Sequence, residues 1–351
     1  MRVRIGFCRR DHACRSRPNL LLCAASFQAA ISQKDLPLMI RPILLASSAF
    51  LIACSAQAPV VAHDQHSDTV ARPAPADPQL TVETITENLH VLFGSGGNVG
   101  VSTGPDGVVL IDDKYDRNAE EILYHVSQLA GENDDLLFVI NTHLHGDHSG
   151  SNPAMKEAGA LIMAHENVRT RMGTSYMNEA FGRINEAKDE SFWPVVTFTD
   201  QASLHFNGIT ARAVHTPSAH TDGDSIVVFE EPNVIHMGDN LFLGMFPFVD
   251  IDSGGSMAGM IAAHDKALSI ADAQTVIIPG HGPITDKAGL EAARDTLQTI
   301  HDRVRVRKDA GETLQAIIDA KPLADMADMD GFIKQDGIIT AAWRSMGGTL
   351  N

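Results

Sequence analysis

Three histidines and one aspartate stand within six residues in Asn141-Thr142-His143-Leu144-His145-Gly146-Asp147-His148-Ser149-Gly150. Imidazole and carboxylate together suit zinc or a related transition metal, and His-x-His-x-Asp-His offers more ligands than one tetrahedral ion needs. The surplus suggests two adjacent ions. A merely histidine-rich surface loop would have no counterparts elsewhere in the chain, and this one does. His215-Thr216-Pro217-Ser218-Ala219-His220-Thr221-Asp222-Gly223-Asp224, His236-Met237-Gly238-Asp239-Asn240 and Pro279-Gly280-His281-Gly282-Pro283 each put metal-type side chains beside Gly or Pro. Such residues fix the backbone where a side chain has to be aimed.

The elements that must carry these clusters are short. The apolar run Leu136–Ile140 reads as a buried strand, and Gly146 and Gly150 mark a loop leaving it. Upstream, from Leu80, the chain is β-rich, with apolar runs Leu89–Phe93 and Gly107–Ile111. The Gly94–Gly100 stretch between them reads as a hairpin turn, because it lacks the Lys-Ser/Thr pair and following helix of a phosphate loop. Asn118–Leu129 has helical spacing. A short helix around Pro153–Ala158, a strand Ala160–Met163 and a helix from Glu166 come after the metal-type loop. Residues 173–194 are irregular, either a surface insertion or a flap over the metal loop. A second β-rich half runs through Val195–Phe198, Ala202–Phe206, Thr210–Val214, Ser225–Phe229 and Val234–His236. Helix Met257–Ile270, strand Thr275–Ile278, helix Lys287–Val306 and two short helical segments complete it. Strands followed by helices, twice, predict an α+β chain with a sheet-on-sheet core covered by helices.

Taken in order, His143-x-His145-x-Asp147-His148, His220-Thr221-x-Gly223, Gly238-Asp239 and Pro279-Gly280-His281-Gly282 resemble the metallo-β-lactamase superfamily over residues 85 to 300. The resemblance implies a four-layer αβ/βα sandwich with metals at one edge between the sheets. It implies a first zinc site of His143, His145 and His220, a second of Asp147, His148 and His281, and Asp239 as the bridging carboxylate. Two departures matter. Ser218-Ala219 replaces a single glycine before the third histidine, so His215 competes with His220, and Thr221-Asp222-Gly223-Asp224 favours His220. The residue after Gly238 is Asp239 rather than cysteine, which excludes the lactamases that pair that cysteine with a substrate-binding lysine. Asp112 or Asp113 is expected to orient a ligand. His236 reads as a core histidine rather than an orienting one, and His90, His125, His165, His205, His264 and His301 read as structural.

The remainder of the chain bounds where and on what such a site works. Of 351 residues, 27 are Lys or Arg and 44 Asp or Glu; the first 54 hold eight and two of these. The rest therefore keeps 19 basic against 42 acidic residues, a formal net charge of −23, which argues against nucleic acid as a partner. Three of the four cysteines, Cys8, Cys14 and Cys23, lie in residues 1–38, which read as an extension preceding a start at Met39. Residues 39–58 read as an export signal. Leu51-Ile52-Ala53-Cys54 resembles a lipobox, with lipidated Cys54 as a possible anchor to the outer membrane; cleavage after Ala56-Gln57-Ala58 is the competing reading. Residues 59–79 form a linker and 80–351 the hydrolase domain. No cysteine follows Cys54, so any metal site there uses nitrogen and oxygen.

The expected activity is therefore that of an exported, periplasmic hydrolase with two Zn2+ per chain, acting on a small molecule with no obligate protein partner. Zinc lowers the pKa of a bound water from about 15.7 to about 7, and Asp147 is expected to orient the nucleophile and pass a proton. A β-lactam is the first expectation, with lactones and phosphodiesters open to promiscuity. A glyoxalase-like thioester hydrolase and an iron-dependent persulfide oxidoreductase are the alternatives.

Overall fold

Period-two alternation in the apolar strands settles how the two halves meet. In the strand Val108–Ile111, Val108 and Leu110 pack toward helices, while Val109 and Ile111 face a second sheet. In Ser225–Phe229, Val227 and Phe229 face the first sheet, while Ile226 and Val228 face helices. Each sheet is thus apolar on both faces, and the layers run helices, sheet, sheet, helices. This is the expected sandwich. The computed structural model describes residues 72–350. The extension 1–38, the signal segment 39–58 with Cys54, and the linker up to residue 71 lie outside the described residues.

In chain order, β1 (Thr81–Thr86), β2 (Leu89–Phe93), β3 (Val99–Ser102) and β4 (Val108–Ile111) form an antiparallel meander. Helix α1 (Ala119–Ala130) follows, ended by Gly131 at φ 62°. Next come β5 (Leu136–Ile140), the helical turn α2 (Gly146–Ser149), α3 (Asn152–Glu157), β6 (Leu161–His165) and α4 (Glu166–Met172). A separate hairpin, β7 (Tyr176–Asn178) and β8 (Arg183–Asn185), precedes β9 (Val196–Phe198). The first sheet closes with β4, β5, β6 and β9 all parallel. The second sheet takes β10 (Gln201–Phe206), β11 (Ile209–His215), β12 (Ser225–Phe229) and β13 (Val234–His236) as antiparallel neighbours. Helix α5 (Met257–Ile270) leads to β14 (Val276–Ile278), which lies parallel to β13, and β15 (Thr285–Asp286) pairs with β14. Helices α6 (Lys287–Asp309), α7 (Leu314–Asp319) and α8 (Gln335–Ser345) complete the outer layer. Among the described residues no helix is long and apolar enough to cross a membrane.

Strand direction decides where chemistry can gather. β4 and β5 run the same way, as do β13 and β14; β11 joins the latter pair in direction because one antiparallel strand, β12, separates it from β13. All four metal-type clusters of the sequence therefore leave carboxyl ends of strands.

Two details differ from expectation. The segment after β5 is not an open loop: Gly146–Ser149 makes a helical turn, with His148 N–H and Ser149 N–H both donating to His145 O. Residues 173–194 are not irregular throughout, because they contain the β7–β8 hairpin. That hairpin is pinned by residues distant in sequence. Glu179 N–H donates to Asp252 Oδ2 at 2.7 Å, and Arg344 of α8 reaches both Glu179 (2.7 Å) and Asp252 (2.6 Å).

The inter-sheet core makes one expectation measurable. Phe229 is fully buried between the sheets, whereas Val306 on α6 is 60% exposed. Urea unfolding of Phe229→Ala is expected to show a loss of about 3–5 kcal/mol, and Val306→Ala a change within about 0.5 kcal/mol. Equal effects would contradict this packing.

Candidate metal centre

Every one of the seven sequence-predicted residues arrives at one place. His143 and His145 come from the segment after β5, His220 from the β11–β12 connection and Asp239 from the turn after β13; their candidate ligand atoms lie within 4.8 Å of one another. Asp147 and His148, on α2, meet His281, which follows β14, under the same limit. Asp239 stands between the two groups. Its Oδ2 lies 3.7 Å from His143 Nε2 and 3.6 Å from His220 Nε2, while Oδ1 lies 3.0 Å from His148 Nε2 and 3.4 Å from His281 Nε2.

The outward nitrogens are tied down, which fixes what the inward ones can do. His148 Nδ1–H donates to Asp112 Oδ2 at 2.7 Å, and His220 Nδ1–H to Phe248 O at 2.7 Å. His145 faces Asp250 Oδ2 with Nε2 at 2.9 Å and so turns Nδ1 inward. Thr142 Oγ1 already gives its proton to Asp112 Oδ2, so its contact with His143 Nδ1 at 3.1 Å is one in which the imidazole donates. Inward lone pairs then converge, with His145 Nδ1 only 3.1 Å from His143 Nε2 and 2.9 Å from His220 Nε2. Bare lone pairs at that separation repel unless a cation sits among them. Buried Asp239 Oδ1 also lacks a hydrogen-bond donor of its own. A nitrogen-and-oxygen set of this kind fits zinc.

The electrostatics point the same way. Burial pushes the His143 imidazole well down and the His220 imidazole to about 4, so both are neutral and ready to ligate at pH 7. Burial would also lower His148 and His281, but Asp239 overrides it in both, helped by Asp112 and Asp147; His281 reaches about 9. The carboxylates thus demand positive charge at this point. Burial likewise opposes ionisation of Asp147, yet His148 and His281 hold it well below the usual carboxylate range.

Local backbone choices serve these contacts. Asp112 sits at φ 65°, a left-handed conformation that costs a non-glycine residue about 1–3 kcal/mol. It thereby reaches Thr142 N (2.7 Å), Thr142 Oγ1 (2.8 Å) and His148. Asp112, not Asp113, is therefore the carboxylate that holds the His148 ring; Asp113 instead accepts from Ser151 N. The Gly94–Gly100 turn straps the centre: Gly97 N–H donates to Asp147 O, Asn98 Nδ2 to Pro279 O and Gly282 O, and fully buried Lys114 to Gly97 O. A methyl group on Gly97 would run into the His148 ring, and one on Gly280 into Asp239 Oδ1.

His215 stays outside, stacked on His165 with ring centres 3.7 Å apart and Nδ1 on Asp224 O. His236 is a core histidine whose Nε2 donates to Asn98 O. His264 Nε2 meets Asn240 O, and His90 Nδ1 meets Thr84 Oγ1. Sequence reasoning missed Asp250 and the Phe248 carbonyl. Both lie in an irregular stretch with no motif, and Asp250 is 105 residues from its partner, so spacing carried no signal.

Over Asp147, Asp239 and His281 opens a cavity of about 470 Å³. Its walls include Tyr176, Phe181 and Lys188 from the hairpin region, so residues 173–194 cover the centre. Phe242, three residues after Asp239, stacks on His281 with ring centres 4.9 Å apart.

Comparison with known proteins follows the same lines. The chain is 28% identical over 219 residues to the lactamase-like protein aptB of Emericella nidulans, a match covering 60% of this chain and 61% of that one. It is 30% identical over 115 residues to the atrochrysone carboxyl ACP thioesterase of Aspergillus fumigatus, covering 33% of this chain and 22% of that one. Among solved structures, a metallo-beta-lactamase from Pontibacter korlensis superposes with a TM-score of 0.52 at 18% identity, over 63% of this chain and 99% of that one. The matched segment spans less than two thirds of either curated relative, and the structural likeness speaks for the fold. The family profile itself covers residues 92–283, more than half of the chain and all seven converging residues, and the protein belongs to the metallo-beta-lactamase superfamily.

Proposed function

We propose that this protein is an exported binuclear zinc hydrolase that opens a cyclic amide or ester, a β-lactam before a lactone. The observation that carries this reading is Asp239, which turns one oxygen to each of two ligand groups. His143, His145 and His220 would hold one ion, Asp147, His148 and His281 the other. Bound zinc supplies a water whose pKa falls from about 15.7 to about 7, and a Lewis acid for the carbonyl.

The chain's own residues do the rest. Asp112 and Asp250 hold the His148 and His145 rings against rotation. Asp147 is the proton-handling group: it lines the cavity, its Oδ2 lies 3.4 Å from His281 Nε2, and its carboxylate is kept ionised. It accepts a proton from the attacking water and returns it to the departing nitrogen or oxygen. The Phe242 and Phe248 rings and the hairpin narrow the approach of bulk water.

A thioester is the second reading, supported by the name of the Aspergillus fumigatus relative. The oxidoreductase alternative is less well served, because all seven ligand positions are filled where a mononuclear iron centre needs fewer. We also propose export through residues 39–58 with lipidation at Cys54, read by cell fractionation and labelled palmitate against a Cys54→Ser control.

The zinc-loaded protein is expected to turn over nitrocefin or a simple lactone, and Asp147→Ala to lower kcat/KM by about 10²–10⁴-fold. His143→Ala is expected to lose comparable activity; near wild-type rates in either variant would sink the assignment. Asp112→Asn and Asp250→Asn are each expected to weaken zinc binding by about 10–100-fold in a chelator competition while keeping the wild-type circular dichroism. Unchanged zinc affinity in both would remove their orienting role.

A further inference from the structure

Lys188 is the lysine of the cavity wall, and among the described residues its ammonium has donors to spare. Its backbone is held at both ends: its N–H donates to Met172 O at 2.7 Å, and its carbonyl accepts the Trp193 indole N–H at 2.9 Å. The ammonium itself lies over the Phe192 ring, with Nζ 5.0 Å from the ring centre, and Lys188 lines the cavity together with Asp147. There Nζ makes a hydrogen bond to Ser149 Oγ at 3.2 Å, on the same helical turn that carries Asp147 and His148. An ammonium has three N–H groups, and a half-buried one left short of partners is costly. Asp113 and Asp147 are close enough to act on it through their field, but the ion pairs of Asp147 run to His148 and His281. Of the two arginines that also line the cavity, Arg171 is paired and Arg183 is exposed. Arg171 is bidentate with Asp222 at 2.5 and 2.6 Å, and exposed Arg183 lies over the Phe181 ring.

Another part of the lining has opposite character. Phe181 packs 5.1 Å from Phe248 and 5.5 Å from Phe332, and Phe332 remains 75% exposed at the mouth. An apolar surface so open beside a polar cleft marks a place for a ligand group. Lys188, the aromatic rings and Asp147 line one cavity, which therefore has three separate demands.

We propose that Lys188 Nζ anchors a carboxylate carried by the substrate, so that the site selects amphiphilic monoanions whose apolar end lies against Phe181, Phe248 and Phe332. The position of the bond to be broken rests on the hydrolase reading; the anion site itself does not. A purely structural role, neutralising buried Asp113, predicts a stability change and no ligand discrimination.

The test compares two isosteric probes, 4-phenylbutyrate and 4-phenylbutyramide, by calorimetry on the full-length zinc-loaded protein. In the wild type the acid is expected to bind at least about tenfold more tightly than the amide. In Lys188→Met the gap is expected to shrink to less than about threefold with amide affinity unchanged, and Lys188→Arg to restore most of it. Lys188→Gln serves if the methionine variant does not fold. Three results overturn the proposal: no measurable binding of the acid, equal binding of acid and amide in the wild type, or a gap that survives in Lys188→Met, which would place the carboxylate on the metal centre instead. Hydrolysis of an uncharged lactone separates this from the activity. Absence of turnover of both nitrocefin and the lactone in every preparation sinks the hydrolase reading, and the binding comparison still decides the anchor. An absent acid–amide gap with lactone turnover intact sinks the anchor alone.

Discussion

Convergence of inward-facing imidazole lone pairs beside a buried carboxylate is the constraint on which this structure turns. Such a cluster is unstable as a neutral assembly, since neither the nitrogens nor Asp239 Oδ1 find partners in one another. It becomes favourable once positive charge enters, whether as protons drawn onto His148 and His281 or as metal ions. Much of the surrounding architecture keeps the lone pairs aimed at that point. Asp112 accepts its strained backbone to do so, and Asp250, the Phe248 carbonyl and Thr142 each take one outward nitrogen.

The sheets explain why these groups can meet at all. Carboxyl ends of β4 and β5 in one sheet, and of β11, β13 and β14 in the other, supply residues as far apart in sequence as Asp112 and His281. Rigid strands with both faces packed position the ligands more tightly than loops would. The Gly97–Asn98 strap then joins the β5 side to the β14 side through backbone hydrogen bonds, at a closeness that a Cβ on Gly97 or Gly280 would prevent.

How much of this was legible in the sequence depends on the range of the signal. His143, His145, Asp147 and His148 announce themselves because their partners are neighbours, and His220, Asp239 and His281 because glycine or proline frames each one. Two runs of strands, each followed by helices, were enough to foresee two packed sheets. The choice of Asp112 over Asp113 was not, because it depends on a left-handed φ that two adjacent aspartates do not reveal. Asp250 and Lys188 were invisible for a different reason. Each is a single polar residue in an irregular stretch, and its meaning appears only when α8 pins the hairpin and the loop after β13 folds back across His145. The helical turn at Gly146–Ser149 was concealed by its two flanking glycines, which usually mark a loop; capping by the His145 carbonyl makes the turn.

The part of the cavity lining outside the His/Asp cluster comes from the hairpin, the Phe248 loop and the segment around Phe332. Arg344, Glu179 and Asp252 tie these elements to one another, while Phe248 O and Asp250 join them to His220 and His145. The central claim, that two ions share the centre across Asp239, is open to direct measurement by anomalous diffraction from crystals at the zinc edge. The account predicts two peaks roughly 3.5–4 Å apart, one among His143, His145 and His220 and the other among Asp147, His148 and His281, with Asp239 between them. A single peak at full zinc loading, or a signal at the iron edge alone, would contradict it.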